Sequence, residues 1–258
     1  MTAVERAGAF AHLLWVHYRR TWRGDIISRF LSPLFFLLAM GLGLGSLVDD
    51  RAGGVQGQSY LTFVVPGIVA TQAMWLVMGE CTYPVYSRLV WDRSYDAALA
   101  TPLEVRDILR GTVAVLVAHL VLATAVFMGV AAAFGGFASP WAVTMLPVAV
   151  LTGLAFGTPL LAYTARAQSD SALNLVFRFV MTPVMLFSGT FFPVSQLPAW
   201  LQPLAWATPL WHGVDAARSL ASGTPDLPRV ALHVALLAVF TVGGWVLAGR
   251  AFTKRLVV

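Results

Sequence analysis

Residues 108–133 read ILRGTVAVLVAHLVLATAVFMGVAAA, and Arg110 and His119 are the only ionisable side chains in that stretch. A helix crosses the roughly 30 Å hydrocarbon core of a bilayer in about 20 residues, so this segment is long enough and apolar enough to span it. It sets the fold class as all-α and integral to the membrane. Working outward, five more windows come close to the same length and composition: residues 30–48, 60–82, 141–163, 172–192 and 230–249. Six transmembrane helices are therefore expected, in a single domain covering residues 1–258. Composition agrees, because 58% of the chain is hydrophobic and only 11% is charged, against roughly 25% charged in soluble domains.

Topology follows the Lys/Arg content of short loops, and here the bases alternate. Arg6, Arg19, Arg20, Arg23 and Arg29 precede the first window, and Arg88, Arg93, Arg106 and Arg110 lie between the second and third. Arg166 and Arg178 flank the fourth-to-fifth connection, and Arg250, Lys254 and Arg255 close the sequence, whereas the other connections carry only Arg51, Arg218 and Arg229. Both termini are expected in the cytoplasm. The first 28 residues, rich in Arg, Trp and His, do not read as a cleaved signal, so an uncleaved first membrane helix is expected.

Residues 5–28 read as an interfacial helix, since Trp15 and Trp22 sit beside Arg19, Arg20 and Arg23. Anionic headgroups attract such bases, and amphipathic rings settle at the same depth, which makes membrane lipid a partner. An ordinary positively charged flank is the alternative. In the longest cytoplasmic connection, Thr101-Pro102-Leu103-Glu104 reads as a helix start with Thr as N-cap, Pro at the first position and Glu at the third. Upstream, Tyr95, Ala98 and Leu99 share one face of a short helix, a natural contact surface for a cytoplasmic partner. From residue 193 to 220, Pro193, Pro198, Pro203 and Pro209 interrupt an apolar stretch interleaved with Trp200, Trp206 and Trp211. Each proline removes an N–H and disturbs the turn before it, so two short outer re-entrant helices, or a loop lying on the membrane, replace a continuous span.

Chemistry inside the membrane is sparse. His119, Arg178, His233 and Glu80 are the ionisable exceptions in or near the spans, each read as interfacial or snorkelling rather than as a relay. Ser188-Gly189 with His212 downstream is the one pairing that suggests a hydrolase, but no G-x-S-x-G surrounds it. No H-E-x-x-H or other metal-ligand spacing occurs, and the single Cys81 excludes a disulfide within the chain and a Cys-based metal cluster. No G-x-x-x-x-G-K-[ST] is present either. The chain is therefore expected not to be an enzyme, and any energy it uses must come from another chain. Gly41, Gly43, Gly45, Gly153 and Gly157 read as small residues that let helices approach closely.

Three features in order carry a family resemblance: the basic surface helix, then Tyr95-Asp96-Ala97-Ala98-Leu99-Ala100-Thr101-Pro102-Leu103, then Ser188-Gly189-Thr190-Phe191-Phe192-Pro193 with Leu197-Pro198-Ala199-Trp200-Leu201. Over nearly its whole length the chain resembles the ABC-2 class of ABC transporter permeases, especially the NodJ branch associated with lipooligosaccharide export. That resemblance implies the ABC-2, or type V exporter, fold in a bacterial inner (plasma) membrane. It also implies a second permease half, as a homodimer, and two cytoplasmic ABC ATPase subunits holding ATP and Mg, with no cofactor on this chain and no nucleic acid. Residues 86–100 correspond to the coupling helix, so Arg88, Asp92, Arg93, Tyr95, Asp96 and Leu99 are the expected ATPase-coupling residues. Phe191, Phe192, Pro193, Pro198, Trp200, Trp206 and Trp211 fall in the outer re-entrant segment near the substrate exit. The implied cargo is a lipid-linked glycan, a glycolipid or a hydrophobic drug-like molecule, for which Phe35, Phe36, Met74, Trp75 and Met78 are candidate lining residues, with packing in the core or against lipid as the alternative for each. The competing reading is a membrane receptor or assembly factor without transport of its own.

Overall fold

The computed structural model describes residues 2–55, 57–137 and 139–257, apart from the side chains of residues 17, 20–33, 36, 41, 42 and 52. The fold is all-helical, with no strand among the described residues. Helix α1 runs Ala3–Leu37 and continues through a π-helical stretch, Leu38–Gly45, into Ser46–Ala52. Then follow α2 (Tyr60–Cys81), α3 (Ser94–Leu99), α4 (Val105–Ala133) and α5 (Met145–Arg166). Next come α6 (Asp170–Phe187, with a π-helical centre), α7 (Gln202–Trp206), α8 (Pro209–Ala221) and α9 (Leu227–Leu256).

Among the described residues, five helices are long and apolar enough to cross a membrane: α2 with its extension to Trp91, α4, α5 with the turn before it, α6 and α9. The first expected span, residues 30–48, lies in α1 and its continuation, where several of the undescribed side chains fall. Residues 5–28 and the start of the first expected span fall in one unbroken helix, Ala3–Leu37. The first turns of α1 lie along α4. Arg6 meets Glu104 and Asp107, and Ala7, Phe10 and Ala11 crowd over Gly111, where a Cβ would come within 2.9 Å of the Ala7 carbonyl oxygen. Further on, the Tyr18 ring lies 4.4 Å from that of His119.

Helices α2 and α5 form the centre. Glycines set the spacing of α5 from its neighbours: a Cβ at Gly153 would fall 2.6 Å from Leu120 of α4, and one at Gly157 would fall 3.1 Å from Leu116 of α4 and 3.4 Å from Val77 of α2. Gly43, by contrast, has open space around it within the chain. Helix α5, which contains Pro159, also carries α9 on its flank. Lipid tails are as apolar as Leu, so such close backbone approach, rather than hydrophobic burial, holds membrane helices together. At the end of α2, Thr164 of α5 donates a 2.8 Å hydrogen bond to the Cys81 carbonyl, satisfying an acceptor the helix leaves open. One end of the bundle gathers Arg6, Arg88, Arg93, Arg106, Arg110, Arg166, Arg250, Lys254 and Arg255. The other carries α7 and α8 with Trp200, Trp206 and Trp211.

Candidate functional site

At the basic end, α2 extends through Tyr83–Tyr86 and a π-helical turn, Ser87–Trp91, before the chain reverses. Ser87 donates to the Asp92 carboxylate at 2.5 Å, and Arg93 takes a left-handed conformation, φ 49°, to turn the chain into α3. A left-handed non-glycine residue is uncommon and is tolerated where its surroundings demand it. This reversal divides the expected coupling residues. Asp92, Arg93 and Asp96 face out, with Trp91, which the sequence reading missed, exposed beside them. Arg88 and Leu99 are half-buried, while Tyr95 is fully buried between Phe10 of α1 and Phe252 of α9.

The expected cap at Thr101 is corrected. Its hydroxyl donates to the Ala98 carbonyl at 2.6 Å, closing α3, so it does not serve as a cap for α4. Glu104 is the N-cap, in a reciprocal box with Asp107, whose carboxylate accepts from the Glu104 N–H at 3.1 Å. The same carboxylate receives the Arg6 guanidinium at 2.7 Å, so the start of α1 is bonded to the start of α4.

Deeper in the bundle, Glu80 and His119 form a pair: Nδ1 of His119 lies 2.8 Å from Oε1 and 2.9 Å from Oε2. Nothing local links residues 39 positions apart, which is why the sequence left each as a separate interfacial group. Of the candidate lining residues, Trp75 borders a cavity of about 300 Å³ between α2 and α6, with Ile68, Thr71, Gln72, Met185, Thr190 and Phe191. Met74 and Met78 instead are buried in the core, Phe35 is exposed, and the Phe36 side chain lies outside the described residues.

At the Trp-rich end the chain leaves α6 through Ser188-Gly189-Thr190, with Gly189 at φ 83° supplying the turn. Gly67 lets this turn lie directly on α2, since a Cβ there would fall 2.8 Å from the Thr190 carbonyl oxygen. Arg218 of α8 pins the junction. Its Nε donates to Phe63 O at 3.1 Å, a terminal nitrogen donates to Thr190 O at 2.9 Å, and the guanidinium lies 3.8 Å over the Phe63 ring. Burial pushes its pKa down to about 10, with Asp215 and Tyr60 opposing, so it stays a cation at neutral pH. Ser188 is bonded to Thr208 at 2.8 Å and His212 to His233 at 2.8 Å, so Ser188 and His212 do not form the nucleophile–base pair a hydrolase needs. In the outer segment Phe191, Phe192 and Pro193 are half-buried, Pro198, Trp200 and Trp206 are exposed, and Trp211 lies edge-on to both histidine rings. In the middle of α1, Trp15 and Arg19 are exposed, while the side chains of Arg20, Trp22 and Arg23 lie outside the described residues.

A second polar chain joins α8 to α9. His212 bonds His233, His233 Nε2 lies 2.8 Å from Asp215, and Arg229 meets the same carboxylate at 2.7 Å. Burial lowers the His212 pKa, the charge of His233 adds to that, and Asp215 opposes. A base with a lowered folded pKa lets the unfolded state take up the proton first. Its contribution is thus intact above the usual value of about 6.5 and is lost as pH falls below it. Acidifying from about pH 7.5 to about pH 5 is expected to lower the melting temperature in detergent, and His212→Asn to shrink that drop. Equal drops in both proteins would contradict it.

Residues 8–221 match the family of the ABC-2 type transporter. The chain is 33% identical over 244 residues to Nodulation protein J of Rhizobium meliloti (strain 1021), covering 94% of this chain and 90% of that protein. It is 34% identical over 242 residues to Nodulation protein J of Rhizobium leguminosarum bv. trifolii, again covering 94% and 90%. Inner membrane transport permease YadH of Escherichia coli (strain K12) is 24% identical over 239 residues, covering 90% and 92%.

Proposed function

Because the chain belongs to the ABC-2 type transporter family, we propose that this multi-pass membrane subunit is the permease half of an exporter driven by separate ATPase chains. The observation that carries this reading is the reversal at Trp91–Asp96, a charged and aromatic surface at the basic end whose opposite face is anchored in the bundle. It offers a rigid docking surface where a cytoplasmic partner would push. Location in a bacterial inner membrane, with both termini in the cytoplasm, is supported by the gathering of bases at that end. ATP and Mg belong to the partner in this scheme.

Helix α6 supports a second permease half. Only 11% of its apolar window is buried within the chain, and Ser171, Asn174, Arg178 and Thr182 follow one exposed stripe along it. A charge such as Arg178 is costly against lipid, so a second copy, or a water-filled path between two copies, suits that face. The adjoining cavity, walled by Trp75, Phe191 and Met185 with the Gln72 amide beside them, fits a mainly apolar group bearing a polar function. The cargo class is therefore an amphipathic, lipid-linked or hydrophobic molecule.

The test is charge reversal at Asp92, Arg93 and Asp96 in the assembled complex. The variants are expected to insert and fold normally, yet to export roughly tenfold less while hydrolysis is uncoupled. Unchanged export would overturn the docking surface. Failure of any ATPase to copurify with the wild-type chain in mild detergent would overturn the exporter reading and leave a receptor or assembly role.

A further inference from the structure

Tyr95 has the largest side chain among those fully buried in the described structure, although it sits on a six-residue helix in a connection between spans. Its ring centroid is 6.0 Å from that of Phe10 and 5.9 Å from that of Phe252, both rings tilted to it. Three segments distant in sequence thus meet on one side chain: the N-terminal helix, the docking segment and the last turns of α9. Phe10 is in turn held over Gly111, where α1 comes into backbone contact with α4. Packed aromatic rings resist relative sliding because core density leaves no void to move into. A displacement of α3 therefore cannot leave α1 and α9 where they are.

The hydroxyl of Tyr95 is buried beside the side chains of Arg88 and Thr112. The ring itself is seated by its aromatic neighbours on α1 and α9.

Resting on the exporter reading above, we propose that Tyr95 is a positioning residue, not an ATPase contact: it passes movement of the docking segment to α1 and α9 together. The outward residues Trp91, Asp92, Arg93 and Asp96 receive the partner's push, and Tyr95 delivers it to both ends of the chain. The planar ring matters, and the hydroxyl does not.

Two readouts test this. In the permease alone, with Cys81→Ala, spin labels at Asp96→Cys and Thr253→Cys, both exposed positions, report the distance between α3 and the end of α9. A single narrow distribution is expected for the parent and for Tyr95→Phe, and a broadened or shifted one for Tyr95→Leu. An unchanged distribution in Tyr95→Leu would overturn the link. In the complex with its ATPase, cargo moved per ATP hydrolysed is expected to fall at least about fivefold in Tyr95→Leu and to stay within about twofold in Tyr95→Phe. Normal coupling in Tyr95→Leu with ATPase bound would overturn the proposal alone. Absence of any copurifying ATPase would overturn the exporter reading and this role with it, whatever the spin labels report.

Discussion

Gly244→Val is expected to abolish recovery of folded protein, while Gly243→Val, one residue away, is expected to be tolerated. A Cβ at Gly244 would lie 2.4 Å from Pro159 Cδ, 2.4 Å from Thr158 Oγ1 and 2.5 Å from the Pro159 backbone nitrogen, whereas one at Gly243 meets nothing within 4 Å. The obstacle at Gly244 is a proline ring and backbone, which cannot swing aside as a long side chain would. Helix α9 would have to lift off α5. The lift would break the Thr158 hydroxyl's 2.9 Å bond to Thr241 O, a direct hydrogen bond between the two helices. Overpacking of this kind costs about 3 kcal/mol or more, and in lipid no hydrophobic term compensates for lost contact. Size-exclusion chromatography of fluorescently tagged variants reads the result, and similar monodisperse peaks for both would refute the packing argument.

Arg218→Leu is expected to produce the second-largest effect, destabilising the chain by roughly 3 kcal/mol. Its guanidinium donates two hydrogen bonds to backbone carbonyls, and bonds from a charged donor contribute about 1.5–3 kcal/mol each. Leucine would leave the Thr190 carbonyl buried without that donor and remove the cation from the Phe63 ring. For a chain of this size the melting temperature should fall by about 10 °C. Arg218→Lys should recover only part of the loss, because an ammonium keeps the charge but lacks the fork that reaches both carbonyls. A lysine variant as stable as the parent would show that charge alone matters at this junction. The Ser188–Thr190 turn is the part expected to loosen first, since Arg218 and Gly67 hold it to α2 from two sides.

The family and the helical membrane class were legible because they rest on local properties. A run such as residues 108–133 must be a helix in a bilayer, whatever surrounds it, since only a helix satisfies its own backbone there. The prolines of residues 193–220 likewise announce interruption wherever they sit, and the alternation of arginines is a property of loops alone. The inward turn of Tyr95, by contrast, was not legible. Its segment shows Tyr95, Ala98 and Leu99 on one face, which reads equally as a surface for a partner or for the chain's own core, and only Phe10 and Phe252 decide between them.

The same holds for the Glu80–His119 pair, the His212–His233–Asp215–Arg229 chain, the buried Arg218 and the cap at Glu104 rather than Thr101. In water, a polar stripe marks the outward side of a helix and so fixes its rotation. In lipid a span such as α4 is apolar on nearly all sides, and the sequence there loses that mark. Span, order and charge asymmetry therefore came from the sequence by itself. Helix rotation, and with it the pairing of distant polar residues, was decided by tertiary packing, in which glycines such as Gly67, Gly111 and Gly244 let neighbouring segments approach closely.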